Sequence, residues 1–242
     1  MAGIIENVSS ILRRISYSAG RSGRSPEDVS LIAVTKGVSI ERIIEAVDAG
    51  IRAFGENRVQ EAMEKISNLE SRICHAELVS ASDSRIQWHM IGHLQKNKAK
   101  QAIGLFELIH SVDSIELMEL INKYSERAGK VQRVLIEVKL SPEETKHGIK
   151  KEQIENLLEK AGMMKSIKVE GLMTMPSYSD NPEDSRPYYS LLKRLADGYA
   201  LKELSMGMTN DFEVAVEEGA TMVRIGTGIF GERKIEYGKN LS

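Results

Sequence analysis

The sequence has a single cysteine, Cys74, in 242 residues. One thiol cannot close an intramolecular disulfide, and no cysteine pair exists to hold a structural zinc ion, so a reducing, cytoplasmic location is expected. A surplus of positive charge is lacking as well. The 33 Lys and Arg against 35 Asp and Glu leave a formal charge of −2, which argues against binding nucleic acid or a polybasic attachment to lipid. No apolar run approaches the length that crosses a bilayer, and the opening residues MAGIIENVSSILRR carry Glu6 where a secretory signal would be basic and then apolar. Nor is there a Pro/Gly-rich linker, a fixed-period repeat or a low-complexity tract, so residues 1–242 are expected to form one domain.

What is present is alternation. Ile4, Ile5, Val8, Ile11, Leu12 and Ile15 recur at helical spacing and predict an amphipathic first helix. SLIAVT (Ser30 to Thr35) reads as a strand, and Ser39 is a candidate N-cap for IERIIEAVDAG, which ends at Gly50. The unit then repeats. IRAFGEN precedes a helix near Arg58 to Asn68, IQWHMIG one at Leu94 to Ala102, and LFELIHS one at Ser114 to Ala128. VQRVLIEVK precedes Lys151 to Gly162, IKVEGLMTM precedes Glu183 to Asp197, KELSMG precedes Asp211 to Gly219, and TMVRIG is the last strand.

Eight strands alternating with helices at this length predict an α/β fold, a single (β/α)8 TIM-type barrel. It carries an extra N-terminal helix, expected to stand in for the helix that would follow the eighth strand. The segment 71–85, SRICHAELVSASDSR, is longer than a usual connection and reads as a surface excursion on the N-terminal face. Cys74 and His75 are therefore poor catalytic candidates.

In such barrels chemistry gathers at the C-terminal ends of the strands. Lys36 ends the run LIAVTK and is followed by Gly37. It is either a solvated lysine or an amine partly withdrawn from water and so able to condense with an aldehyde. Arg224 lies inside TMVRIG, where an isolated charge needs a partner: a carboxylate, or a ring nitrogen or anion in the barrel mouth. Gly226-Thr227-Gly228 follows, with backbone donors and a hydroxyl suited to a phosphate, and Ser205-Met206-Gly207 stands at the same level on strand seven.

Two patterns mislead. GTGIFG at 226–231 matches a dinucleotide fingerprint, but only 11 residues follow Gly231, too few for the βαβ unit and its acidic ribose ligand. HMIGH offers His89 and His93, yet Met90 takes the place of the catalytic glutamate of HExxH, and no metal site is expected. His110 and His147 lack companions in the sequence and read as structural or surface histidines. Met173, Met175, Met206 and Met208 read as flexible apolar filling.

Lysine, arginine and phosphate cradle together suit a phosphorylated aldehyde, for which pyridoxal 5′-phosphate is the obvious candidate. From Leu31 to Arg233 the sequence resembles the pyridoxal phosphate homeostasis protein family, whose barrel is similar to the N-terminal domain of alanine racemase, a fold type III pyridoxal phosphate protein. The segments that carry the likeness are LIAVTK, FGENRVQE, WHMIGHLQKNK, GLMTMP, LSMGMTNDFEVAVEEGATMVRIGT and IFGER. The resemblance implies that Lys36 is the Schiff-base lysine, that Asn57 lines the cofactor pocket, and that Arg224 contacts the ring nitrogen. It places Ser205, Gly226 and Thr227 in the phosphate site. Thr35, Gly37 and Thr209 depart from the residues frequent in the family, and 71–85 looks like an insertion.

The family implies buffering or delivery of the coenzyme within the cell; no catalytic residue is expected, and pyridoxal phosphate-dependent apo-enzymes are candidate recipients. A monomer is expected, since the racemase-type dimer makes its partner contacts partly through a β-domain. An arginine at the ring nitrogen weakens the electron sink that carbanion chemistry needs. Racemases nevertheless work with one, using a second acid/base and a β-domain for which this sequence leaves no room. An amino-acid racemase and a Schiff-base sugar-phosphate aldolase are the competing readings.

Overall fold

The computed structural model describes residues 3–72, 85–141 and 147–232. Eight parallel strands close on themselves in sequence order, β8 pairing with β1. They are β1 (Ser30–Val34), β2 (Ala53–Glu56), β3 (Gln87–Met90), β4 (Leu108–Val112), β5 (Gln132–Glu137), β6 (Ile167–Met173), β7 (Glu203–Ser205) and β8 (Met222–Ile225). The helices are α1 (Ile4–Arg21), α2 (Ile40–Asp48), α3 (Val59–Arg72), α4 (Ala99–Leu105), α5 (Ile115–Arg127), α6 (Ile154–Gly162), α7 (Arg186–Gly198), α8 (Phe212–Glu217) and the short α9 (Thr227–Phe230). The expected barrel is the observed one.

Strand runs are apolar on both sides because a parallel barrel is covered outside by helices and filled inside by side chains. Ile32, Leu108, Leu135, Met173 and Met222 form an inner cluster separate from the larger core between sheet and helices. Above that plug the interior turns polar, with His89, His110, Ser205 and Arg224 all buried.

The first helix does occupy the missing position. Ile4, Val8, Ile11 and Ile15 are buried against α8, α9 and α2, while Ile5 and Leu12 of the predicted apolar set are exposed. Arg14 donates twice to the Glu213 carboxylate, at 3.0 and 2.8 Å, and Asn7 Nδ2 donates to the Ile229 carbonyl at 2.9 Å. These bonds fix the helix across the β8–β1 side of the barrel.

Helix starts differ from expectation where a 3₁₀ turn comes first: Lys96–Lys98 before α4, Lys151–Gln153 before α6 and Pro182–Ser185 before α7. Ser39 sits at the N-cap of α2 but makes no side-chain capping bond. Of the expected excursion at 71–85, Ser71 and Arg72 belong to α3. Cys74 and His75 lie outside the described residues. Among those described, no helix is long and apolar enough to cross a membrane.

Candidate functional site

A cavity of about 760 Å³ opens at the C-terminal ends of the strands. Lys36 reaches its lining from the end of β1, Asn57 from the end of β2, Arg224 from β8, and Gly226 and Thr227 from the turn after β8. Five of the six expected site residues thus meet in one space.

Lys36 is half-buried, and among the described residues its amine makes no hydrogen bond or ion pair. Its neighbours are held firmly. Thr35 Oγ1 donates to Glu56 Oε1 at 2.6 Å, and Gly37 N donates to Glu61 Oε1 at 2.6 Å. Gly37 adopts φ +68°, a conformation that disfavours any residue with a Cβ, and it turns the chain sharply after the lysine.

Arg224 has no carboxylate within salt-bridge distance among the described residues. It donates to Ser205 Oγ at 2.6 Å and to the Thr174 carbonyl at 3.0 Å, and other guanidinium donors remain for the cavity that it lines. Burial pulls its pKa below the ordinary arginine value, with Tyr189, Glu137 and Asp211 acting the other way. Where a carboxylate was one expected partner, the structure supplies a hydroxyl and a carbonyl oxygen, which were not among the expected kinds.

Ser205 does not join the lining. Its hydroxyl lies beneath Arg224, 2.8 Å from His110 Nδ1, and His110 Nε2 is 2.9 Å from His89 Nδ1. Arginine only donates. The Ser205 proton therefore finds its acceptor when it points to His110, which places the His110 proton on Nε2, toward His89. His110, expected to stand alone, has two buried partners, because β3, β4 and β7 bring these residues inside the barrel at one height. Burial lowers the pKa of both rings, that of His89 to about 4, so the chain is neutral.

The hydroxyl that does face the cavity from strand seven's loop is Thr209. Thr209 Oγ1 is 3.2 Å from Thr227 Oγ1 and accepts from Gly228 N at 3.3 Å. Asp211 shapes this loop. It accepts from Met208 N at 2.8 Å, Ser185 Oγ at 2.8 Å and Tyr189 OH at 2.7 Å. Two hydroxyls close together, one of them held by the Gly228 amide, make an anion cradle, and the buried Asn57 Oδ1, without a partner among the described residues, offers an acceptor to a ligand hydroxyl. Amine, arginine, orphan acceptor and cradle fit a phosphorylated, hydroxylated aromatic aldehyde.

The expected site residues leave out the wall formed after β3, β4 and β5. Glu137 lines the cavity, and burial, reinforced by Asp113, raises its pKa to about 7 against the pull of Arg224. A charge inside LIEVK is the same anomaly as the arginine inside TMVRIG and was equally visible. His93 and His147 also line the cavity, beside Asp113. His147, expected to be without companions, therefore has two; the loops after three successive strands converge there. The HMIGH pair itself does not converge, since His89 turns inward to His110. Of the four methionines, Met173 and Met206 are buried filling, whereas Met175 and Met208 line the cavity.

The family model of the alanine racemase N-terminal domain matches residues 11–234. A pyridoxal phosphate homeostasis protein of Aquifex aeolicus is 44% identical over 235 residues, covering 95% of this chain and 98% of that one. A protein of the same name from Escherichia coli K12 is 33% identical over 248 residues, covering 99% and 100%. The solved structure of PipY from Synechococcus elongatus with PLP bound superimposes with a TM-score of 0.78 at 33% identity, covering 94% of this chain and 100% of that one.

Proposed function

The chain belongs to the alanine racemase N-terminal domain family, among proteins of pyridoxal phosphate homeostasis, and from that premise we propose that it binds pyridoxal 5′-phosphate and buffers or delivers it inside the cell. The single observation that supports this reading best is the convergence of Lys36, Arg224 and the Thr209–Thr227 hydroxyl pair on one cavity. When bound, the coenzyme supplies an aldehyde, the electrophile that a primary amine captures covalently.

Lys36 brings the amine, on a backbone held from both sides. Arg224 can only donate, so it receives a ring nitrogen as an acceptor and leaves it unprotonated. Asn57 accepts from the ring hydroxyl. Thr209, Gly226 and Thr227 hold the phosphate with hydroxyl and amide donors, while Ser205 acts behind Arg224. The neutral His89–His110 chain adds no positive charge beneath that arginine.

The protein is a carrier without robust turnover, monomeric and cytoplasmic, and apo-enzymes that use the coenzyme are its recipients. A ring nitrogen kept unprotonated is a weak electron sink, which disfavours abstraction of an α-proton.

The test is borohydride reduction of the loaded protein followed by peptide mapping. A pyridoxyl adduct on Lys36, lost in Lys36→Ala, is the expected result; an adduct elsewhere overturns the assignment. Deuterium exchange at the α-carbon of a panel of amino acids checks the second half. Rapid exchange overturns the carrier reading.

A further inference from the structure

The loops after β3, β4 and β5 bring His93, Asp113 and His147 together on the side of the cavity away from the β7–β8 cradle. Both imidazoles turn Nδ1 toward the same oxygen. His93 Nδ1 is 3.1 Å from Asp113 Oδ2 and His147 Nδ1 is 4.0 Å from it, with the rings stacked at 3.9 Å between centroids and 12° apart in plane. The three ligand atoms all lie within 4.8 Å of one another.

Zinc bonds of about 2.0–2.1 Å in a tetrahedron put neighbouring ligand atoms roughly 3.3 Å apart. The two distances to Asp113 Oδ2 bracket that value, and turning the rings out of their parallel stack, so that both Nδ1 lone pairs converge, closes the set around one ion. Two imidazoles and a carboxylate suit a borderline ion of the zinc class and are a poor set for magnesium or calcium, which take oxygen ligands. Neutral imidazole is the ligating form, and both rings present Nδ1 to the carboxylate oxygen that would complete the set.

We propose that His93, Asp113 and His147 form a binding site for a zinc-class divalent ion at the rim of the cavity, with an open fourth position facing into it. The inference rests on these three side chains and holds whether or not the coenzyme assignment does. An open position beside the cavity gives the ion access to a carboxylate or amine entering from solvent.

The test uses the untagged full chain, with and without pyridoxal phosphate, titrated with Co2+ and Zn2+. One equivalent of Co2+ with visible ligand-field absorption, displaced by Zn2+, is expected. Losing a ligand costs at least as much as losing an outer partner, about tenfold in affinity, so His93→Ala, His147→Ala and Asp113→Asn each weaken binding by that factor or more. Circular dichroism and thermal melting of each variant verify that it is folded. Absence of stoichiometric binding overturns the site, as does binding that survives the triple substitution. Binding lost instead in Cys74→Ser or His75→Ala also overturns it.

Discussion

Lys65 Nζ lies 2.5 Å from the carbonyl oxygen of Thr35, the residue immediately before Lys36. The same ammonium is 2.6 Å from Glu56 Oε1 and 2.6 Å from Glu61 Oε1, and these two carboxylates accept from Thr35 Oγ1 and Gly37 N. The amine proposed to carry the coenzyme thus stands on a backbone tied on both sides to one buried ion cluster. Burial raises the pKa of Glu56, with Lys65 and Thr35 drawing it back down.

Lys65→Met should therefore be costly. Removing one partner of a buried pair leaves the other charge uncompensated, worth about 3–5 kcal/mol. At the usual size dependence that is a fall of roughly 10 °C in the melting temperature. The variant should also lose coenzyme faster, because the Lys36 backbone is freed. Thermal unfolding reads the first effect and chromophore loss on dilution the second. Adding Glu56→Gln should restore part of the stability and none of the retention.

The histidine chain predicts an acid sensitivity. The folded-state pKa of His89 is lowered from 6.5 to about 4, so the unfolded chain binds the extra proton first as pH falls. The neutral, buried form contributes stability that is fully present above pH 6.5 and is lost progressively toward pH 4, about 3 kcal/mol in all. His89→Asn should flatten this dependence relative to the parent protein. Urea unfolding at pH 7.5 and pH 5 measures the difference; identical slopes would count against a neutral His89.

These relationships separate what the sequence discloses from what it hides. Lys36 and Arg224 were legible because each breaks an apolar run at a strand end, and the barrel was legible because every βα unit is local. The choice between Ser205 and Thr209 was not. Ser205 ends β7 and Thr209 follows it in the next loop, and which one faces the cavity depends on the turn at Gly207 between them. The histidine chain and the His93–Asp113–His147 cluster were hidden for a related reason: each depends on the register that sets neighbouring strands at one height, which no local pattern reports.

Thr209 and Ser205 should behave differently when each hydroxyl is removed. A hydrogen bond to a charged group is worth about 1.5–3 kcal/mol, so Thr209→Val should weaken coenzyme binding by roughly tenfold or more and reduce competition by inorganic phosphate. Ser205→Ala acts through Arg224 and His110, and should move the chromophore's absorption maximum while leaving phosphate competition nearly unchanged. Spectral titration with and without phosphate distinguishes the two. A Ser205→Ala variant that loses phosphate competition would return that residue to the cradle.

Gly207 joins the buried arginine to the anion cradle. Its φ is +90°, its carbonyl accepts from Arg224 N at 3.0 Å, and a Cβ built on it would stand 2.5 Å from the Ala215 Cβ in α8. Gly207→Ala therefore carries two penalties: backbone strain of about 1–2 kcal/mol and overpacking of about 1–3 kcal/mol. Pairing it with Ala215→Gly removes the closest contact but leaves the Phe212 Cα 3.0 Å from the new Cβ, keeps the strain and adds the helix cost of a glycine, so the double variant should recover only part of the overpacking share. Thermal unfolding of the three variants resolves the shares. Because the strain sits between Ser205 and Thr209, coenzyme retention should stay impaired in the double variant even where stability returns, and full recovery of both would show that the turn does not set the cradle.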